Sequence, residues 1–126
     1  RIRSPRESQR GEDPAFAGNP VLGPVVRIME SNLAEPLSLE RIAEVAGIDR
    51  RRIERQFRRV LGQTPGHYYR ELKLRRALEL IREQGLSVHE AAAIGGFSSQ
   101  SVFSRACRNH FGKGPRELLA AGFARA

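Results

Sequence analysis

The sequence predicts an all-α fold: two helix-turn-helix subdomains joined by a long linker helix. Three observations predict it. From Val21 onward apolar residues recur at helical spacing, with no sustained alternation and few β-branched clusters that would mark a strand. The stretch from Ser38 to Pro65 recurs, almost in register, from Ser87 to Pro115. Between the copies an unbroken helical pattern over about 64–84 is bounded by Thr64-Pro65 and Gly85.

Taken in order, residues 1–20 (RIRSPRESQRGEDPAFAGNP) are polar and charged with Pro and Gly and show no period, so they read as a flexible linker. The start at Arg1 rather than methionine fits a piece of a longer protein. A first helix is expected over about Val21–Leu33, with Pro24 in the first turn, where a missing N–H costs little. Ser38 is a good N-cap for a short helix with Leu39, Ile42, Ala43 and Ala46 on one side, and Gly47 ends it. Asp49 can cap the next helix, whose buried stripe is Ile53, Phe57, Val60 and Leu61 and which Gly62 closes. Thr64 and Pro65 supply an N-cap and an N1 proline for the long helix, which carries Leu74, Ala77, Leu78 and Ile81 at core spacing.

Beyond Gly85, Ser87 and Glu90 form the S-x-x-E pattern of a capping box, followed by Val88, Ala91, Ala92 and Gly95. Gly96-Phe97-Ser98 makes a turn, a further helix runs to Phe111, and a short last helix covers about Arg116–Ala121. The domain thus spans 21–122, with the first helix-turn-helix at about 38–62, the second at about 87–112, and a tail at 123–126.

Aligning SLERIAEVAG with SVHEAAAIGG matches cap to cap, Ala43 to Ala92 and Gly47 to Gly96 at an offset of 49 residues. One extra residue in the turn makes the offset 50, and Phe57 then meets Cys107, Leu61 Phe111, Gly62 Gly112 and Pro65 Pro115. Small alanines let the second helix cross close to the first, and glycine permits a turn with positive φ, which is the logic of a helix-turn-helix. An ordinary helical hairpin can show Ala-x3-Gly once. Two copies in register with agreeing core stripes are far harder to obtain otherwise.

The outward faces carry the function. At 100° per residue, Arg51 and Arg55 lie opposite the first apolar stripe, with Arg58 and Arg59 beside them and Glu54 flanking. In the second copy the stripe is Phe103, Ala106, Cys107 and Phe111; opposite lie Ser101 and Arg105, with Arg108 and Asn109 beside them and Ser104 flanking. Arg50 and Gln100 stand at the matching starts of the two helices. Arg suits guanine, Gln adenine, Glu cytosine and Ser several bases, and the N-terminal half of a second helix enters the major groove in this motif. A merely solvated face accounts for the arginine-rich helix moderately well and for the Gln/Ser/Arg helix poorly. Arg58, Arg59, Arg108 and Asn109 suit phosphate contact. The linker helix, about twenty residues long, spans roughly 30 Å, close to one turn of B-DNA at ~34 Å.

Composition agrees without deciding. The net charge of +8 and a pI near 11.1 favour a polyanionic partner, although genome base composition also enriches arginine. The single Cys107 excludes an intrachain disulfide and any multi-cysteine zinc site, and on the apolar stripe it reads as a packing residue rather than a sensing thiol. His67, His89 and His110 lie on separate elements without metal spacing, so no metal or other cofactor is expected. Tyr68 and Tyr69 are expected to pack the linker helix rather than stack on bases. No nucleophile–base–orienter set and no phosphate-cradling glycine loop is recognisable, so an enzyme is not expected. No run approaches the ~18 apolar residues of a membrane span and no signal peptide is visible, which points to the cytoplasm and to no membrane partner. Protein interaction stays open for Glu30, Glu35 and residues 1–20.

The stretch GFSSQSVFSRACRNHFGKGP, Gly96–Pro115, is similar to the signature Gly-Phe-x5-Phe-x-Arg-x-Phe-x4-Gly-x-x-Pro of the AraC/XylS family of bacterial transcription regulators. NLAEPLSLERIAEVAG with RIERQFRRVLGQTPGHYYRELKLRRALELI resembles the first half of the same domain, so the likeness covers about 21–120. The resemblance implies seven helices in two homeodomain-like units, with the third and sixth in the major groove of double-stranded DNA. Carried over, it implies base contacts by Arg51, Glu54, Arg55, Gln100, Ser101 and Arg105, with Arg50 and Ser104 nearby. It also implies contact with RNA polymerase, and a small-molecule effector, if any, bound by a domain outside this chain. PGHYYRELKLRRA resembles members whose N-terminal domain is amidase-like (PfpI-type). Cys107 stands where a phenylalanine is usual and Gly114 where a Ser/Thr cap is usual, which implies a less tightly held second unit. The alternative class is a basic helical module that binds protein or RNA without reading bases.

Overall fold

The computed structural model describes Phe16 and residues 18–123. Within them lie seven helices and no strand: α1 Leu22–Glu30, α2 Leu39–Ala46, α3 Arg50–Gln56 with a π-helical turn over Phe57–Leu61, α4 Pro65–Gln84, α5 Val88–Ile94, α6 Gln100–Phe111 and α7 Pro115–Ala120. They form two compact units. One runs to Asn32 and resumes over Pro36–Tyr69; the other takes Leu33–Glu35 and everything from Arg70. The long helix α4 begins in the first unit and continues in the second.

In the first unit Leu22, Val25, Val26 and Met29 repeat at i, i+3, i+4, i+7 and are fully buried, as an amphipathic helix requires. The Asn19 side chain starts α1: its Oδ1 accepts from the Val21 and Leu22 N–H groups at 2.9 Å each. Its Nδ2 donates to Gln56 Oε1 at 3.3 Å. Phe16 is buried and sits edge-on to Tyr68, so this end of the segment read as linker packs in the unit. Residues 1–15 and 17 lie outside the described residues.

Helix α1 ends at Glu30, earlier than the expected Leu33, because Asn32 folds back: its Nδ2 donates to Ile28 O at 2.8 Å. Tyr69, buried on α4, clamps the following loop. Its hydroxyl donates to Asn32 O and accepts from Leu37 N–H at 3.1 Å. Ser38 Oγ caps α2 by accepting from Arg41 N–H at 3.1 Å, and Gly47 closes it in the left-handed region.

The stripe on α3 needs one correction. Ile53 and Phe57 are fully buried and Leu61 is half-buried, but Val60 is 42% exposed. The cause is the π-helical turn: more residues per turn means each advances less than 100°, so Val60 stops short of the core.

The second unit packs Leu74, Ala77 and Leu78 of α4 against Ala91 and Ala92 of α5, Phe103 and Cys107 of α6, and Leu118 of α7. The capping box on α5 is complete, Glu90 N–H to Ser87 Oγ and Ser87 N–H to Glu90 Oε1, both 3.0 Å. Close approach of α5 to α4 falls at Gly95, where a Cβ would sit 3.2 Å from the Ala77 Cβ. Gly96 is required twice over: its φ is +85°, and a Cβ there would come within 2.7 Å of the Ala34 carbonyl oxygen. Lys73 seals this turn, with its ammonium 4.7 Å from the Phe97 ring centre and its Nζ donating to Gly96 O at 3.4 Å.

At the far end, the Phe111 and Phe123 rings lie 4.8 Å apart with the Arg75 guanidinium over both. Phe123 therefore belongs to the fold rather than to a tail; residues 124–126 lie outside the described residues. Gly114 offers no side-chain cap to α7, and only half a box remains, Gly114 N–H to Glu117 Oε1 at 3.3 Å.

Candidate nucleic-acid interface

Each second helix of the two helix-turn-helix units is started by a side-chain cap that leaves its first turn in solvent. Asp49 Oδ2 accepts from Arg51 N–H at 3.1 Å at the start of α3. Arg51, Glu54 and Arg55 are exposed on that helix, as are Arg58 and Arg59 on the π turn. Among the described residues no carboxylate pairs with Arg51, Arg52, Arg55, Arg58 or Arg59, so this face presents five uncompensated guanidinium groups. Such charge is free to meet an anion.

Arg50 differs. It stands about 60° from Ile53 at 100° per residue, exposed but at the edge of α3 next to α2. Its Nη1 meets Glu40 Oε2 on α2, and its Nε lies 3.6 Å from Glu54 Oε2. The expected base-reading set on the first helix is thus brought together on one exposed face, with Arg50 turned to its edge. Sequence spacing did not show the Glu40 contact, because the two residues lie ten apart on different helices.

On α6, Ser99 Oγ accepts from Val102 N–H at 3.1 Å and fixes the first turn. Gln100, Ser101, Arg105, Arg108 and Asn109 are exposed, while Ser104 is half-buried. Gln100, Ser104 and Arg108 also line a groove of about 200 Å³ shared with Gly114 and Arg116 at the start of α7. Val102, in the first turn beside Ser101, was missed by sequence reading and is 36% exposed. An apolar side chain on such a face suits the methyl group of thymine. The signal was available: Val102 falls off the Phe103–Cys107 stripe, where a polar residue would be expected.

Cys107 takes no part in this surface. It is fully buried, and burial pushes its thiol up to about 12, so it stays protonated near neutrality. Among the described residues no cluster of three or more His, Cys, Asp or Glu could hold a metal ion, and no helix is long and apolar enough to cross a membrane.

Two helix-turn-helix units, each presenting the exposed polar face of its second helix, define the class of paired helix-turn-helix DNA-binding modules. A family described as "Helix-turn-helix domain" matches residues 42–121, more than half of the chain. The transcriptional regulator GbdR of Pseudomonas aeruginosa is 37% identical over 119 residues, 93% of this chain and 32% of GbdR. A transcriptional regulator from Chromobacterium violaceum, described as containing an AraC-type DNA-binding domain, superposes with a TM-score of 0.74 at 44% identity, covering 80% of this chain and 90% of that one. The DNA-binding domain of AdpA, solved in complex with a target DNA, gives 0.66 at 28% identity over 81% and 91%. The chain belongs to the AraC-type helix-turn-helix DNA-binding domains of bacterial transcription regulators. It spans about a third of the length of two of the curated regulators it matches, 32% of GbdR and 36% of ArgR.

Proposed function

We propose that this domain binds one asymmetric DNA site by laying α3 and α6 into successive major grooves of the same duplex face. The observation that carries the reading is the pair of exposed helix faces, one with Arg51 and Arg55, which pair with no carboxylate among the described residues, the other with Gln100, Ser101 and Arg105. These groups supply the donors and acceptors that base edges require. Arg51, Glu54 and Arg55 read the first groove, with Arg50 beside them; Gln100, Ser101, Ser104 and Arg105 read the second, with Val102 against a thymine methyl. Arg58, Arg59, Arg108 and Asn109 hold phosphates and set the register. Twenty residues of helix α4 connect the two helix-turn-helix units in sequence, and AdpA's DNA-binding domain is solved on target DNA.

The remainder of the regulator lies outside this sequence in our reading: RNA polymerase is contacted from the DNA-bound domain in the bacterial cytoplasm, and any effector binds another domain. Relatives about three times as long support that division. An amidase-like partner domain rests on the PGHYYRELKLRRA likeness alone.

A salt titration with a selected operator and with random duplex tests the reading. Base reading predicts about 1–3 kcal/mol lost per wrong base pair. A basic module that only neutralises phosphates predicts a slope of about −0.9 per phosphate and equal affinity for every sequence. Arg105→Ala should lose discrimination at one base pair, whereas Arg58→Ala should lower the slope by about 0.9 for all duplexes. Equal weakening of all sequences by Arg105→Ala would remove that residue from the reading set.

A further inference from the structure

On the DNA-binding reading above, one arginine of the recognition helix should not behave like its neighbours. Arg50 is the arginine of α3 that touches carboxylates: Glu40 from α2 through Nη1, and Glu54 from its own helix at 3.6 Å through Nε. All three side chains are substantially exposed, at 49%, 65% and 45% of their surfaces for Arg50, Glu40 and Glu54. A single exposed pair would be weak. Here two acceptors share one guanidinium, and the alternative partner is itself an anion. If Arg50 turned to a DNA phosphate, Glu40 and Glu54 would be left uncompensated beside a polyanion, and like charges there repel.

We propose that Glu40 is a positioning residue that withholds Arg50 from DNA phosphates and so holds down sequence-independent affinity. Such a contact is sequence-independent, so withholding it lowers operator and random affinity by the same factor: retention on random duplex falls while the operator-to-random ratio keeps its value. Arg50 keeps three of its five N–H donors unused by these carboxylates, but with its charge compensated it releases little counterion. The recognition helix with its π turn, residues 50–61, thus carries six arginines, five of which pair with no carboxylate among the described residues.

The test is a double-mutant cycle of Glu40→Gln and Arg50→Gln in the full 126-residue chain. Each variant is titrated with salt on random duplex and on an operator selected by wild type from a random DNA pool. We expect Glu40→Gln to steepen the salt slope on random duplex by about 0.9, an extra loss of about threefold between about 50 and 200 mM salt. Discrimination between operator and random duplex should stay unchanged, because the freed phosphate contact strengthens both alike. In the Arg50→Gln background the same substitution should leave the salt slope unchanged.

The proposal is overturned if Glu40→Gln has the same effect in both backgrounds, since Glu40 would then act only as a negative charge near DNA. It is equally overturned if Glu40→Gln has no effect in either. Failure of wild type to enrich any operator would be a different result, against base reading itself. Unchanged circular dichroism and urea midpoints separate these outcomes from misfolding.

Discussion

At the scale of single residues, position on the helix circumference decides what an arginine can do. Arg51 and Arg55 point away from Ile53 and Phe57 and pair with no carboxylate among the described residues, while Arg50, exposed at the edge next to α2, is tied to Glu40. The same rule makes Tyr69 structural although tyrosine can stack on bases: it is buried, and desolvation holds its hydroxyl above the usual value of 10.0, against the lowering effect of the Leu37 hydrogen bond. Tyr69→Phe should remove one donor and one acceptor at once, stranding Asn32 C=O and Leu37 N–H. A cost of about 1–3 kcal/mol follows. Urea unfolding checks this, and operator affinity measured well below the unfolding midpoint should stay unchanged.

Among the elements, α5 and its turn show how local chemistry fixes a helix-turn-helix. The reciprocal Ser87–Glu90 box starts α5, so Ser87→Ala should cost about 1 kcal/mol in thermal or urea unfolding. Hydrogen bonds from Ser87, its backbone N–H first, hold the Glu90 carboxyl below its ordinary value of 4.5. A folded-state value lowered this way contributes stability above the unfolded value and loses it as pH falls through the folded one. The stability difference between wild type and Glu90→Gln should therefore be constant at neutral pH and shrink below about pH 4.5; a difference that grows in acid would contradict the sign. The exit of α5 is less forgiving. Gly96→Ala should cost more than about 1 kcal/mol from φ alone, with a further penalty from the Ala34 carbonyl 2.7 Å away. Denaturant midpoints measure it. In the first unit Val60 marks the opposite case, where a π-helical turn changes the angular advance and turns an apolar residue outward.

For the molecule as a whole, two units and a shared helix mean that binding should be read as a paired event. Hydroxyl-radical footprinting on a selected operator is expected to protect two patches about one helical turn, ~10 base pairs, apart. Protection of a single major groove would refute the two-groove arrangement. Much of this architecture was legible in the chain itself. Caps at Ser38, Asp49, Thr64 and Ser87, glycine stops at Gly47, Gly62 and Gly96, and the in-register repeat are local features. Caps and stops act only a turn or two along the backbone, so spacing alone determined seven helices, two helix-turn-helix units and most of the outward faces of α3 and α6, with Val60 and Val102 the exceptions. Tertiary structure decided what depends on residues far apart in sequence. Asn19 bonds Gln56 across 37 positions, Arg82 Nε donates to Phe123 O across 41, and Glu40 takes Arg50 across the turn. No helical or strand period encodes such meetings; they exist only once buried apolar stripes have brought the helices together.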